Sequence, residues 1–176
     1  MNSQRFIGSV NHKILKENLS EDEFLDIKTR IIDFEDYWLN GFNPNIGKDV
    51  PSSKPNFFLG NRHVHLKPLI GGFKNIEEKN LWKKWKNKKI KYPFLNSEHN
   101  LSSFPTSNYG FLYFVDKDRI AYLYHYCDND MHEFINSREY LEIAENLDEY
   151  FEKNKKYPIS NEQHIMIFTQ KWLSNV

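Results

Sequence analysis

The sequence predicts an α+β fold with an N-terminal amphipathic helix, a mostly antiparallel sheet and C-terminal helices. Three observations carry that expectation. Phe24, Ile27, Ile31, Phe34 and Trp38 recur at intervals of three and four residues, which places them on one face of a helix. Tyr109–Val115 and Ile120–Tyr126 are aromatic, β-branched runs on either side of the polar turn Asp116–Arg119, the pattern of a β-hairpin. After Ser137, a residue suited to cap a helix, Leu141, Ala144, Leu147 and Phe151 return to helical spacing.

Taken in order, residues 4–16 hold the short apolar pieces Phe6-Ile7, Val10 and Ile14-Leu15, read as a strand that starts the sheet. Ser20 and Glu23 form a capping-box pair just before the first helical face. Gly41 is placed to end that helix in the left-handed conformation. Pro44, Gly47, Pro51, Pro55 and Gly60 then mark residues 42–61 as a loop over the surface. Residues 61–69 read as a strand, and its alternation puts His63, His65 and Lys67 on one face and Val64 and Leu66 on the other, against the helix. Beyond Gly71-Gly72, Lys79, Lys83, Lys84, Lys86, Lys88, Lys89 and Lys91 surround Trp82 and Trp85. This is either a solvated helix docked by its two tryptophans or a basic patch for RNA. Residues 93–108 read as loop. In the hairpin, Ile120, Tyr122, Tyr124 and Tyr126 are expected on one face and Ala121, Leu123 and His125 on the other. Pro158 separates a last helix starting near Ser160, with Gln163 in capping-box position and Ile165, Phe168 and Trp172 as its face.

At 176 residues the chain is expected to form one domain, residues 1–176. It carries 24 basic and 24 acidic side chains, so affinity for a polyanion has to come from local patches rather than from net charge. The single cysteine, Cys127, cannot form an internal disulfide, which fits a reducing compartment. No apolar run approaches the length of a membrane span, and the N-terminus lacks the charged and apolar regions of a secretory signal. The expected location is cytoplasmic, with no membrane partner.

Several residues recur in a known order. Phe34, Tyr37 and Gly41 form F-x-x-Y-x-x-x-G, Pro44 follows, and Gly47-Lys48-Asp49 stands where G-R-D is usual. His63-Val64-His65-Leu66 then matches H-I-H-L, and a weaker match runs from Ser107 to Tyr126 and on to Met131-His132. In this the chain resembles the YafO family of toxins from type II toxin–antitoxin systems, ribosome-dependent mRNA interferases. The likeness covers roughly residues 10–152 as a toxin-like core, with residues 153–176 as an appended C-terminal helix. It implies an endoribonuclease that cleaves mRNA on the translating ribosome, a cognate antitoxin protein that silences it, and no cofactor. Small toxins of this kind often resemble the RelE-like fold, although pattern alone does not fix strand order.

Metal-independent RNA cleavage needs a base for the ribose 2′-hydroxyl, an acid for the leaving 5′-oxygen and positive charge on the phosphorane. His65 and His132 are the expected acid and base, with His63 and Lys67 beside them. Lys48, Asp49 and Arg62 are candidates for charge stabilisation or orientation, and Lys83, Lys84 and Lys86 for contact with RNA. The chemical rival is a metal site built on His63 and His65 with Asp49, His125 or His132 as third ligand, although no compact motif completes it. The functional rival is a non-enzymatic phage or plasmid interaction protein that retains the toxin-like fold.

Overall fold

The computed structural model describes residues 5–52, 60–69, 71–87, 104–164 and 166–174. Five strands form one sheet: β1 (Ser9–Asn11), β2 (Ile46–Pro51), β3 (Arg62–Leu66), β4 (Gly110–Val115) and β5 (Ile120–Cys127). Their order is β1-β5-β4-β3-β2, with only the β1–β5 pair parallel. The helices are α1 (Lys13–Glu17), α2 (Glu21–Asn40), α3 (Ile76–Lys86), α4 (Met131–Phe134), α5 (Arg138–Asn154) and α6 (Asn161–His164). The fold is α+β.

The long helix α2 covers one face of the sheet. Ser20 accepts from the Glu23 backbone N–H while Glu23 reaches back to the Ser20 N–H at 2.8 Å, so two otherwise orphaned donors are satisfied. Gly41 ends the helix at φ 74°, a conformation that costs glycine nothing. Ile27, Ile31, Phe34 and Trp38 pack against Val64, Phe111, Tyr113, Val115 and Leu123 from the sheet. On the opposite face, Met131, Phe134, Tyr140, Ala144, Leu147 and Phe151 of α4 and α5 pack against Leu112, Phe114, Tyr122 and Tyr124. Tyr140 rather than Leu141 completes the α5 face, and Leu141 stays exposed. A third cluster joins Trp82 and Trp85 of α3 to Phe104. The Trp85 indole donates to the Ile46 carbonyl at 2.7 Å, which docks α3 on the start of β2.

Four sequence expectations need correction. Residues 46–51 are a strand rather than loop; Gly47 is required there because a Cβ would run into the Pro105 carbonyl and the Trp82 ring. The expected first strand shrinks to three residues of β1, and Lys13–Glu17 turn helical. In β5 the alternation breaks at Tyr124, where the register against β4 shifts between Leu112 and Tyr113. His125 therefore stacks on Phe134 of α4, and Tyr126 packs with the α2 side, the reverse of a regular strand. The last helix is a single turn, α6, followed by a 3-10 turn at Gln170–Trp172. There the Ile167 carbonyl accepts from the Arg119 guanidinium at 2.9 Å. Ile167 and Phe168 enter the α2-side core. Pro55, Lys88, Lys89, Lys91, Ile165 and residues 93–103 of the expected loop lie outside the described residues.

Arg119 ties these pieces together. Its guanidinium donates to the carbonyls of Ile7 and Trp38, each at 2.6 Å, and lies over the rings of Phe6, Trp38 and Phe168. Burial pushes its pKa down to about 9.

Candidate active site

Strand β3 divides its side chains between two environments. Val64 and Leu66 enter the α2-side core, whereas His63 and His65 turn toward the side covered by α4 and α5. His65 is paired with Gly110, where a Cβ would collide with the Met131 sulfur. That glycine lets α4 close onto the strand. The Met131 N–H donates to the Asn108 carbonyl at 3.0 Å, and the next residue, His132, reaches His65. The ring centroids of His63 and His65 are 5.3 Å apart, and those of His65 and His132 5.7 Å. Lys48 of β2 lies close enough for its charge to act on both His63 and His65. Lys48, His63, His65 and His132 thus converge from three elements.

Their environments differ. His65 is only 2 % exposed, and its Nδ1 lies 2.7 Å from the Ser107 carbonyl. The Ser107 N–H also lies 3.2 Å from Nδ1, but the carbonyl contact is much the shorter, which fits an Nδ1–H donor and leaves the Nε2 lone pair free to accept a proton. His63 is half-buried, with Nδ1 3.0 Å from the Ser52 hydroxyl. Burial first, then the neighbouring positive groups, pushes His63 down to about 4 and His65 to about 3. Both are therefore neutral proton acceptors near neutral pH. His132 is exposed and lines a cavity of about 460 Å³ with Lys74, Thr106, Ser107, Asn108 and Asn129. Together the cluster offers a buried and a half-buried neutral imidazole, one solvent-facing imidazole and a neighbouring ammonium charge.

The remaining sequence candidates go elsewhere. Asp49 and Arg62 face the α2 side, away from the histidines, so neither orients them. The Asp49 carboxylate accepts from Tyr37 at 2.7 Å, Tyr113 at 2.6 Å and the Arg62 Nε at 3.1 Å, and it is only 3 % exposed. Burial and the Asp49 charge push the Tyr37 and Tyr113 phenols well up, while the carboxylate holds Arg62 above its usual value. Lys67 does not extend the histidine row, because the strand ends at Leu66. The Lys67 backbone N–H turns to the Asn45 carbonyl at 2.8 Å, and its side chain lines a separate cavity beside α2. Lys83, Lys84 and Lys86 are exposed on α3, and Lys83 and Lys86 line that same second cavity. Asp49 is on the wrong side of the sheet for a third metal ligand, and His125 is stacked on Phe134 at 3.8 Å. Among the described residues no group of three or more His, Cys, Asp or Glu side chains is arranged to hold a metal ion.

Ser52, which positions His63, carried no signal in the sequence, and Ser107, whose backbone positions His65, entered only as the start of the weaker family match. Each acts through a contact between segments distant along the chain, with Ser107 42 positions from His65. No helix among the described residues is long and apolar enough to cross a membrane. No protein-family model matches the chain, nor does any curated protein or solved structure.

Proposed function

We propose that the chain is the toxin of a type II toxin–antitoxin system, a cytoplasmic endoribonuclease that cleaves mRNA on the translating ribosome and is silenced by a cognate antitoxin protein. The observation that carries this reading is the convergence of Lys48, His63, His65 and His132 on one side of the sheet. A neutral imidazole, His63, accepts the 2′-hydroxyl proton as the 2′-oxygen attacks phosphorus. The bond from phosphorus to the 5′-oxygen breaks, leaving a 2′,3′-cyclic phosphate, and His132 supplies the proton to the departing oxygen. Lys48 offsets the charge on the phosphorane. His65, buried behind the other two, positions them rather than touching RNA. A base at about 4 is weaker than general-base catalysis near pH 7 prefers. A bound phosphodiester anion favours the protonated imidazole, so substrate itself draws these histidines upward toward working range.

Primer extension on a reporter mRNA after brief induction tests the proposal. Discrete cuts within translated regions are expected for wild type and are expected to vanish for His132→Ala and His63→Ala. Cuts that persist in both variants refute the assignment. The second reading is a non-enzymatic interaction protein, favoured by the burial of His65 and its pKa of about 3. No cuts and no growth arrest from wild type would select it.

A further inference from the structure

The larger cavity beside α2 is unused by the chemistry above. It encloses about 690 Å³ between α2, residues 67–69 and α3, within the range that small-molecule sites occupy. Two lining residues each hold a donor atom that is sealed from solvent and has no partner among the described residues. Arg30 is 8 % exposed, and its Nη2 has no hydrogen-bond partner among the described residues. Trp82 is buried, and its Nε1–H is likewise unpartnered. Buried donors left unsatisfied are costly, so a small shift of either side chain toward the cavity would be offset by an acceptor bound there.

The rest of the lining narrows the chemistry. Phe73 and Tyr126 supply ring surface, and Leu69 and Ile76 present exposed apolar side chains at the same cavity. Five cationic side chains line it against two carboxylates, Asp26 and Asp33. Asp33 already accepts from Asn45 at 3.1 Å on each oxygen and from Asn43 at 3.3 Å, and neither carboxylate pairs with Arg30 among the described residues. The balance favours an anion. A fatty acid would put its methyl end against Arg30 and Trp82 and leave both donors unsatisfied. A ligand with acceptors at its inner end, a flat apolar middle and an anionic outer end satisfies every wall. A nucleobase carries ring and carbonyl acceptors, stacks on aromatic and apolar side chains, and bears a phosphate.

We propose that the cavity between α2, residues 67–69 and α3 binds a nucleotide, its base against Arg30 and Trp82 and its phosphate among Lys67, Lys83 and Lys86. The site is separate from the histidine cluster and does not depend on cleavage. The nucleotide comes either free or as one residue of a single strand of RNA, and the two sources share this recognition.

Titration of the full chain with AMP, CMP, GMP, UMP and inorganic phosphate, each alone, tests it by calorimetry and tryptophan fluorescence. At least one nucleotide is expected to bind about tenfold or more tightly than inorganic phosphate, a difference near 1.4 kcal/mol. Lys83→Ala/Lys86→Ala, confined to exposed side chains, is expected to weaken that nucleotide about tenfold. Arg30→Gln is expected to reduce the preference for nucleotide over phosphate. Competition with an uncleavable 2′-O-methyl RNA octamer separates the sources. Displacement about tenfold tighter than the mononucleotide assigns an RNA strand, and equal affinity assigns the free nucleotide. His63→Ala and His132→Ala are expected to bind as wild type, so loss of cleavage with binding retained separates this site from the nuclease reading. The proposal is overturned if all four nucleotides bind no better than phosphate, if the lysine variant binds unchanged, or if the histidine variants lose binding.

Discussion

Acidification should destabilise this protein through its buried histidines. His63, His65, His125 and His164 are held neutral by burial, the first three at about 4, 3 and 4 and His164 well below the ordinary 6.5. For a basic group the depressed folded value means that the unfolded chain binds protons first. The stability is fully present above the unfolded value and falls as pH drops from 6.5 toward 4. Between about pH 7 and about pH 5 each such histidine removes just under about 2 kcal/mol, and the four together about 7 kcal/mol. A domain of this size has about 5–15 kcal/mol in all, so the loss is a large fraction of the total. Urea unfolding followed by tryptophan fluorescence at both pH values measures it directly. His125→Gln, which removes one titrating ring from its stack on Phe134, should reduce the pH-dependent loss by about a quarter. Stability that changes by less than about 1 kcal/mol over that interval would sink the reasoning, because these histidines would then titrate in the fold as they do in the unfolded chain.

Four further outcomes test the framework around the site. Asp49→Asn leaves the buried Arg62 guanidinium without its carboxylate and should cost about 3–5 kcal/mol, read as a lowered urea midpoint. The paired change Asp49→Leu/Arg62→Met should cost less than that single change, since no uncompensated charge stays buried. Gly41→Ala forces a side chain into the left-handed conformation at the end of α2 and should lower stability by about 1 kcal/mol in the same assay. Tyr113→Phe removes one donor from the Asp49 carboxylate and should cost about 1 kcal/mol, with little effect on secondary structure by circular dichroism.

How much of this was legible beforehand varied with the range of the interaction. The α2 boundaries were visible because a capping box and a terminal glycine act within a few residues of themselves, and its apolar face repeats with the helix. The hairpin was visible for the same reason. Strand β2 was hidden because its glycine, its proline and its buried aspartate each oppose strand propensity. Gly47 answers contacts with Pro105 and Trp82, and Asp49 contacts with Tyr37 and Tyr113, all well separated in sequence. The reversal of His125 and Tyr126 was invisible because a bulge depends on the partner strand, and a regular period of two has no place for the extra residue.

The candidate site divides along the same line. The His-x-His spacing by itself determined that His63 and His65 share a face, since strand geometry leaves no other choice. Only the tertiary structure decided that His132 and Lys48 join them. It also separated Asp49, Arg62 and Lys67 from the cluster, because which side of a sheet is covered, and by what, depends on distant segments. The depressed histidine values belong to that second category too: desolvation arises from α4, β2 and the Ser107 segment closing over β3, and no residue of the strand encodes it alone.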